Sequence, residues 1–144
     1  MFLFAGKRQF SFSDLKFLQP EVLKDWIICG KSTYMIIDVR EDDYLIGKIK
    51  SSLNIPYYTL DQTILNRIYQ KLIDENITNI IFHCSYSQQR GPSTALKFLR
   101  SLDDNGLLKL DRADLNVWVL KGGFNKFYKK YGSNPTLVTD IKKN

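Results

Sequence analysis

The sequence predicts an α/β domain: a central, mainly parallel five-stranded sheet with helices on both faces. Three observations carry this. Apolar runs of strand length, such as Met35-Ile36-Ile37 and Ile80-Ile81-Phe82, are continuous rather than alternating, as strands covered on both faces require. Segments between them place apolar residues at helical spacing, with Leu65, Ile68 and Leu72 on one stripe and Leu96, Leu99 and Leu102 on another. Strands that alternate with helices pair in parallel through crossovers.

Composition sets the outer bounds. At 144 residues, with 44% hydrophobic and 25% charged residues, one globular domain with a real core is expected. The aromatic share of 13% argues against disorder. The net charge of +6 is spread along the chain without a long basic run, so a solvated basic surface is expected and no nucleic-acid partner. Such a field would also steer phosphorylated substrates. No run approaches the roughly 20 apolar residues of a membrane span, and the N-terminus lacks the charge order of a secretory signal. Two cysteines, Cys29 and Cys84, do not make a disulfide framework. A reducing compartment, cytoplasm or nucleus, and a monomer are the expectations.

Taken in order, residues 1–12 read as an N-terminal arm, 13–132 as the domain and 133–144 as a frayed tail. Ser13 is a candidate cap, and Leu15, Phe17 and Leu18 suit a short strand. Pro20 opens a helix running to about Cys29, a core candidate, and Gly30 stops it. Tyr34–Arg40 is a buried strand ending in opposite charges, and Glu41–Gly47 a helical turn. Residues 48–56 hold a loop and short strand, and 60–75 an amphipathic helix with Asp61 near its start. Strand, polar loop and helix follow over 79–102, then a turn at Asp103-Asp104-Asn105-Gly106 and a polar insert from Leu107 to Asp114. Asn116–Leu120 is another strand. Lys121-Gly122-Gly123-Phe124 bends it into a last helix with Phe124, Phe127 and Tyr128 facing inward.

The stretch with chemistry is Ile80-Ile81-Phe82-His83-Cys84-Ser85-Tyr86-Ser87-Gln88-Gln89-Arg90-Gly91-Pro92. Pro92 suits a first helical turn, where its missing N–H is no loss. A loop running into a helix N-terminus turns several amides toward one point, and the dipole adds positive potential, so the concavity holds a tetrahedral oxyanion. Ser85, Tyr86, Ser87, Gln88 and Gln89 would line it. Arg90 would grip two oxygens with its planar fork. Cys84 sits at its mouth, where helix ends and cations lower a thiol pKa from ~8.5 to roughly 3.5–7.5. It would attack the phosphorus of a bound ester. Each residue also has a plainer reading: a buried small hydrophobe for Cys84, a solvated charge for Arg90, a satisfied core side chain for His83. The joint arrangement favours the oxyanion loop. With a single His, neither a His-built metal site nor a Ser-His-Asp triad has material, and no metal or cofactor is expected. Asp38 has two readings: orienting Arg90 or donating a proton, or, preferred, pairing with a nearby arginine to hold two loops. Arg40 with Asp43 reads as a fixing pair.

The segment HCSYSQQRGP resembles the signature loop of the M-phase-inducer (cell-division-cycle 25-type) dual-specificity phosphatases, which have a rhodanese-like fold, and especially that of their small stand-alone fungal members. The stretches Asp14–Trp26, Ile37–Pro56 and Val119–Phe127 resemble the opening, a second landmark and the final strand and turn of that family. The resemblance implies a three-layer rhodanese-like domain and a phosphatase of the HC-x5-R type with Cys84 and Arg90 as catalytic residues. His83 and Asp38 would support them, and the glycine turn would lie beside the site. The substrate would be a phosphorylated protein or small aryl phosphate, and phosphate, vanadate and arsenate would inhibit. Lys48 stands where the family usually has His, mostly structural there. The family's loop glutamates are Ser85 and Gln89 here, and no Trp-Pro-Asp triplet is present, so Asp38, Asp42 and Asp43 are the candidate acids. Val39 replaces a cysteine that in many members forms a protective disulfide. Three alternatives stay open: arsenate reduction on the same fold, sulfur transfer, which the five-residue spacing disfavours, and a phosphate-binding module with weak or no activity.

Overall fold

The computed structural model describes residues 10–30, 33–41, 47–105 and 114–140. The elements are β1 (Lys16–Leu18), α1 (Pro20–Ile28), β2 (Tyr34–Asp38), β3 (Lys48–Ile49), β4 (Leu53–Asn54), α2 (Gln62–Asp74), β5 (Asn79–His83), α3 (Arg90–Asp104), β6 (Asn116–Leu120), α4 (Gly123–Tyr131) and β7 (Val138–Thr139). Five strands form one sheet in the order β1-β6-β5-β2-β4, and every neighbouring pair is parallel. The predicted α/β architecture is therefore observed. β5 lies in the middle, so the loop leaving it emerges at the centre of the sheet's carboxyl edge, where open α/β sheets bind ligands.

Period-two alternation sorts the strand residues between two cores. Met35, Ile37, Ile80, Phe82, Val117 and Val119 face a cluster closed by Leu65, Ile68 and Leu72 of α2 and by Ala95, Phe98 and Leu102 of α3. Ile36, Ile81 and Leu120 face the opposite cluster, with Leu23 of α1 and Phe124 and Phe127 of α4. The strands are apolar throughout because helices cover both faces. Asp61 caps α2, its Oδ1 accepting the Ile64 amide at 2.9 Å.

Several local expectations change. The cap before β1 is Ser11, not Ser13: Ser11 opens a 3-10 turn at Phe12–Asp14 and its amide donates to Asp14 Oδ2 at 2.9 Å. Cys29 is exposed, because it caps the end of α1 beyond that helix's buried stripe. The turn expected from Asp103 begins later. α3 continues to Asp104, held by buried Leu102 and closed by Asn105 Nδ2 donating to Ser101 O at 2.8 Å. Of the arm, only its last residues are described, and there Arg100 donates to Phe10 O at 2.7 and 3.0 Å. Most of the turn over Glu41–Gly47 and of the insert from Leu107 lies outside the described residues.

The largest correction is the C-terminal segment. Residues 133–140 are not frayed. β7 pairs antiparallel with β3, Ile49 opposite Val138, and Lys50 donates its amide to Leu137 O at 2.9 Å. Leu137 is 1% exposed and joins the cluster with Phe124 and Phe127. Two short apolar residues between polar ones carry too little periodicity to announce a strand. Leu137→Ala should therefore cost about 2–4 kcal/mol of folding free energy, as a buried leucine does. A urea midpoint unchanged from wild type would show that the segment contributes nothing.

Candidate active site

Every site residue predicted on the central loop falls at the carboxyl end of β5. Cys84 follows the last strand residue and is 3% exposed. Its Sγ accepts the Gly91 amide at 3.3 Å. That contact solves a local problem of α3. A helix leaves its first four N–H groups without intrahelical partners, and Gln89, the residue before α3, makes no side-chain cap. Pro92 has no N–H, Ser93 donates to Gln89 O at 2.9 Å, and Gly91 donates to the sulfur. Glycine is required for this approach: a Cβ on Gly91 would lie 3.2 Å from His83 Cα and 3.3 Å from Cys84 N.

The loop curls because Ser87 takes a left-handed conformation, φ +57°. Such a turn points successive amides to one side and makes an anion-binding concavity. Among the described residues, the amides of Tyr86, Ser87, Gln88 and Gln89 find no acceptor. The Ser87 hydroxyl is buried and likewise unmatched. A buried polar group without a partner is costly, and an oxyanion with several lone pairs would satisfy the Ser87 hydroxyl together with these amides. Arg90 opens α3 beside this cradle, its Nη2 3.5 Å from Ser85 Oγ. An open cleft of about 510 Å³ is lined by Arg40, Ser85, Tyr86, Arg90, Phe124 and Tyr128, together with Asn125. Tyr128, expected to face inward, is 46% exposed and forms part of this wall.

The glycine turn after β6 braces the loop from behind. The Phe124 amide donates to Cys84 O and the Asn125 amide to Ser85 O, both at 2.9 Å. Gly123 has φ +63°, and a Cβ there would stand 2.6 Å from both carbonyl oxygens. The start of α4 thus grips the first two carbonyls of the loop and leaves its later amides facing out. That contact was only half legible, since two glycines at a strand-to-helix bend signal conformation and not what they touch.

Beneath the site sits a buried charged pair. Asp38 is fully buried, with Oδ1 accepting the Arg40 amide and Nε at 3.0 Å and Oδ2 accepting Nη2 at 2.7 Å. Arg40 Nη2 also donates to Gly47 O at 2.6 Å, and its guanidinium lies 4.0 Å over the Phe124 ring. Asp38 is therefore the loop-holding carboxylate of the preferred reading. Its two oxygens are taken up by the amide and guanidinium of Arg40. Arg40 pairs with Asp38, and the expected partner Asp43 lies, with Asp42, outside the described residues. His83 is buried beside this pair, its Nδ1 3.1 Å from Cys84 O and its Nε2 3.9 Å from Asp38 Oδ2. It is a core side chain that steadies the loop's first peptide.

Glu41 was missed by sequence reasoning. Its Oε1 lies 4.0 Å from Arg90 Nη1, and its Oε2 accepts the Tyr58 amide at 3.2 Å. The usable signal was position: Glu41 leaves the carboxyl end of β2, next to β5, and ligand-facing residues collect at that edge. Among the described residues no three His, Cys, Asp or Glu side chains converge as a metal site would need, and no helix is long and apolar enough to cross a membrane.

A parallel sheet with a cysteine-led anion loop on its central strand defines a class, and the comparisons name it. Residues 19–130 match the rhodanese-like domain family. The chain belongs to that family, in its group of CDC25-like, M-phase-inducer phosphatases. The CDC25-like phosphatase YCH1 of Saccharomyces cerevisiae is 36% identical to it over 141 residues, covering 90% of this chain and 92% of its own length. The dual specificity phosphatase ibp1 of Schizosaccharomyces pombe is 30% identical, covering 88% and 97%. Among solved structures, a yeast protein tyrosine phosphatase of the rhodanese family superposes with a TM-score of 0.76 at 34% identity, over 89% of this chain and 94% of its own. The As-Sb reductase from Leishmania major gives 0.75 at 26% identity, over 87% and 85%.

The two thiols sit at opposite edges of the sheet. α1 runs back from the end of β1, so Cys29 lies at the amino edge while Cys84 lies at the carboxyl edge. Val39, one residue beyond the Asp38–His83 register pair, is the buried neighbour of Cys84 on β2. No resolving thiol stands in reach, so peroxide should drive Cys84 to sulfinic and sulfonic acids. Mass spectrometry after dithiothreitol treatment reads this, and full recovery of the Cys84 thiol after strong oxidation would contradict it. Gly123→Ala should open the loop: phosphate should no longer protect Cys84 from iodoacetamide. Gly30→Ala, at φ +70° but with open space around it, should cost only about 1–2 kcal/mol of left-handed strain and leave that protection intact.

Proposed function

We propose that the protein is a cysteine-dependent phosphatase that hydrolyses phosphotyrosine-type phosphomonoesters, with other phosphorylated side chains as poorer substrates, through a phosphocysteine on Cys84. The observation that carries this reading is the 3.3 Å contact between Cys84 Sγ and the Gly91 amide, which holds the sulfur at the start of α3 beside a row of unpaired amides. The amides from Tyr86 to Gln89, with Arg90, would take the three non-bridging oxygens and hold them more tightly as charge builds in the transition state. Sulfur attacks phosphorus in line, the S–P bond forms, and the P–O bond to the leaving alcohol breaks. Water then attacks phosphorus, breaking the S–P bond and restoring the thiolate. No metal is needed, because the cradle neutralises the phosphoryl charge.

The leaving group follows from the walls and from the acids. Tyr86, Phe124 and Tyr128 line the cleft and offer rings to an aromatic alcohol. Asp38 is bound to Arg40, and Ser85 and Gln89 are not carboxylic acids, so alcohols that depart readily as anions are favoured. Phosphorylated proteins and small aryl phosphates are the substrates this supports, with vanadate, arsenate and phosphate as competing oxyanions.

Arsenate reduction is the second reading, favoured by the likeness to the Leishmania reductase. Glutathione-dependent arsenate turnover without phosphatase activity would select it. Cys84→Ser should abolish hydrolysis of p-nitrophenyl phosphate while phosphate analogues still bind. Wild type should cleave the aryl ester faster than a phosphoserine peptide. Full activity in Cys84→Ser, or faster cleavage of the serine ester, would sink the reading.

A further inference from the structure

The proposed reaction leaves one element of the site unexplained: the carboxylate of Glu41 at the rim. Arg90 is the first residue of α3, where the helix dipole presents positive potential to a cation. Its Nη2 leans toward Ser85 on the loop, at 3.5 Å, and its Nη1 toward Glu41 Oε1, at 4.0 Å. Glu41 is in turn held by a main-chain donor, its Oε2 accepting the Tyr58 amide at 3.2 Å. Both partners are partly buried, with side chains 28% and 32% exposed, so solvent screens the pair less than a fully exposed one.

A guanidinium grips a tetrahedral oxyanion with two parallel N–H bonds, and the edge formed by Nε and Nη2 serves for this. Nη1 remains on the other side. We propose that Glu41 is the positioning residue of Arg90: anchored on the Tyr58 amide, it draws Nη1 outward and leaves Nε and Nη2 aimed at the oxyanion. It offsets the repulsion between guanidinium and helix end while the cradle is empty, and it restrains the rotation of the long side chain when phosphate enters. The role assigned to Glu41 is positioning, not proton donation. The role rests on the phosphatase reading for its kinetics, but it also extends to oxyanion binding alone.

The test is Glu41→Gln, which keeps shape and removes charge. kcat/KM should fall about three- to tenfold, the size of a partly buried charged contact. The fall should be the same for aryl phosphates with good and with poor leaving groups. Vanadate inhibition should weaken by a similar factor while the melting temperature holds. In an Arg90→Lys background the same change should add no further loss, since it acts through the guanidinium. A loss that grows as the leaving group worsens would make Glu41 the acid and overturn the proposal. So would unchanged kinetics, or a full loss persisting beside Lys at position 90. If wild type hydrolyses nothing, the phosphatase reading fails. Calorimetric vanadate binding to wild type and Glu41→Gln then decides Glu41 separately: equal affinities overturn its role, and weaker binding by the variant supports it.

Discussion

The contact between the sulfur of Cys84 and the amide of Gly91 is the constraint from which the site follows. It lets a cysteine do the capping that Gln89 does not. Once the sulfur occupies that position, the chain between must travel from strand end to helix start in a small arc with its amides on the inner side. The left-handed Ser87 accomplishes the reversal. Cradle and cysteine are thus one structure, produced by the way α3 begins. An oxyanion bound there would extend the same cap, satisfying donors that the protein leaves open.

The arc would not hold its shape unaided, and two supports come from distant parts of the chain. From one side the start of α4 takes the carbonyls of Cys84 and Ser85. From the other, the Asp38–Arg40 pair locks the end of β2, and Asn54 donates to the carbonyls of both residues at 2.9 and 3.0 Å. Buried ion pairs are poor sources of net stability, because desolvation consumes much of the attraction. Their geometric strictness is what matters here. Removing either charge would strand the other in a dry interior, so the end of β2 keeps its course beside β5, to which the ladder joins it.

How much of this could be read from the chain depended on the range of the interaction. The strands were legible because burial on both faces leaves unbroken apolar runs, and the loop because His83 to Pro92 carries strand end, thiol, cation and helix start in adjacent positions. The partners of those residues were not. Arg40 stands two residues from Asp38, and sequence spacing cannot say that this carboxylate is dry. Glu41 reads as one of three consecutive acids until Tyr58, 17 residues away, fixes its direction. Leu137 and Val138 look like a tail because a two-residue strand has no period, and only the opposite edge at Ile49 makes them core.

The neutral positions Ser85 and Gln89 acquire a physical meaning in this setting. Main-chain amides do the holding, so side chains along the arc can change without dismantling it. Without carboxylates in the arc, nothing there cancels the positive potential of helix end and guanidinium, which under the proposed function favours tight capture of a doubly charged phosphate. Under the same reading the cost falls on the leaving oxygen, which has no carboxylic acid beside it in the loop. A site built this way would suit substrates whose chemistry needs little proton help and whose main difficulty is charge, and its nearby acidic groups lie off the loop, Asp38 at the end of the neighbouring strand and Glu41 three residues beyond it.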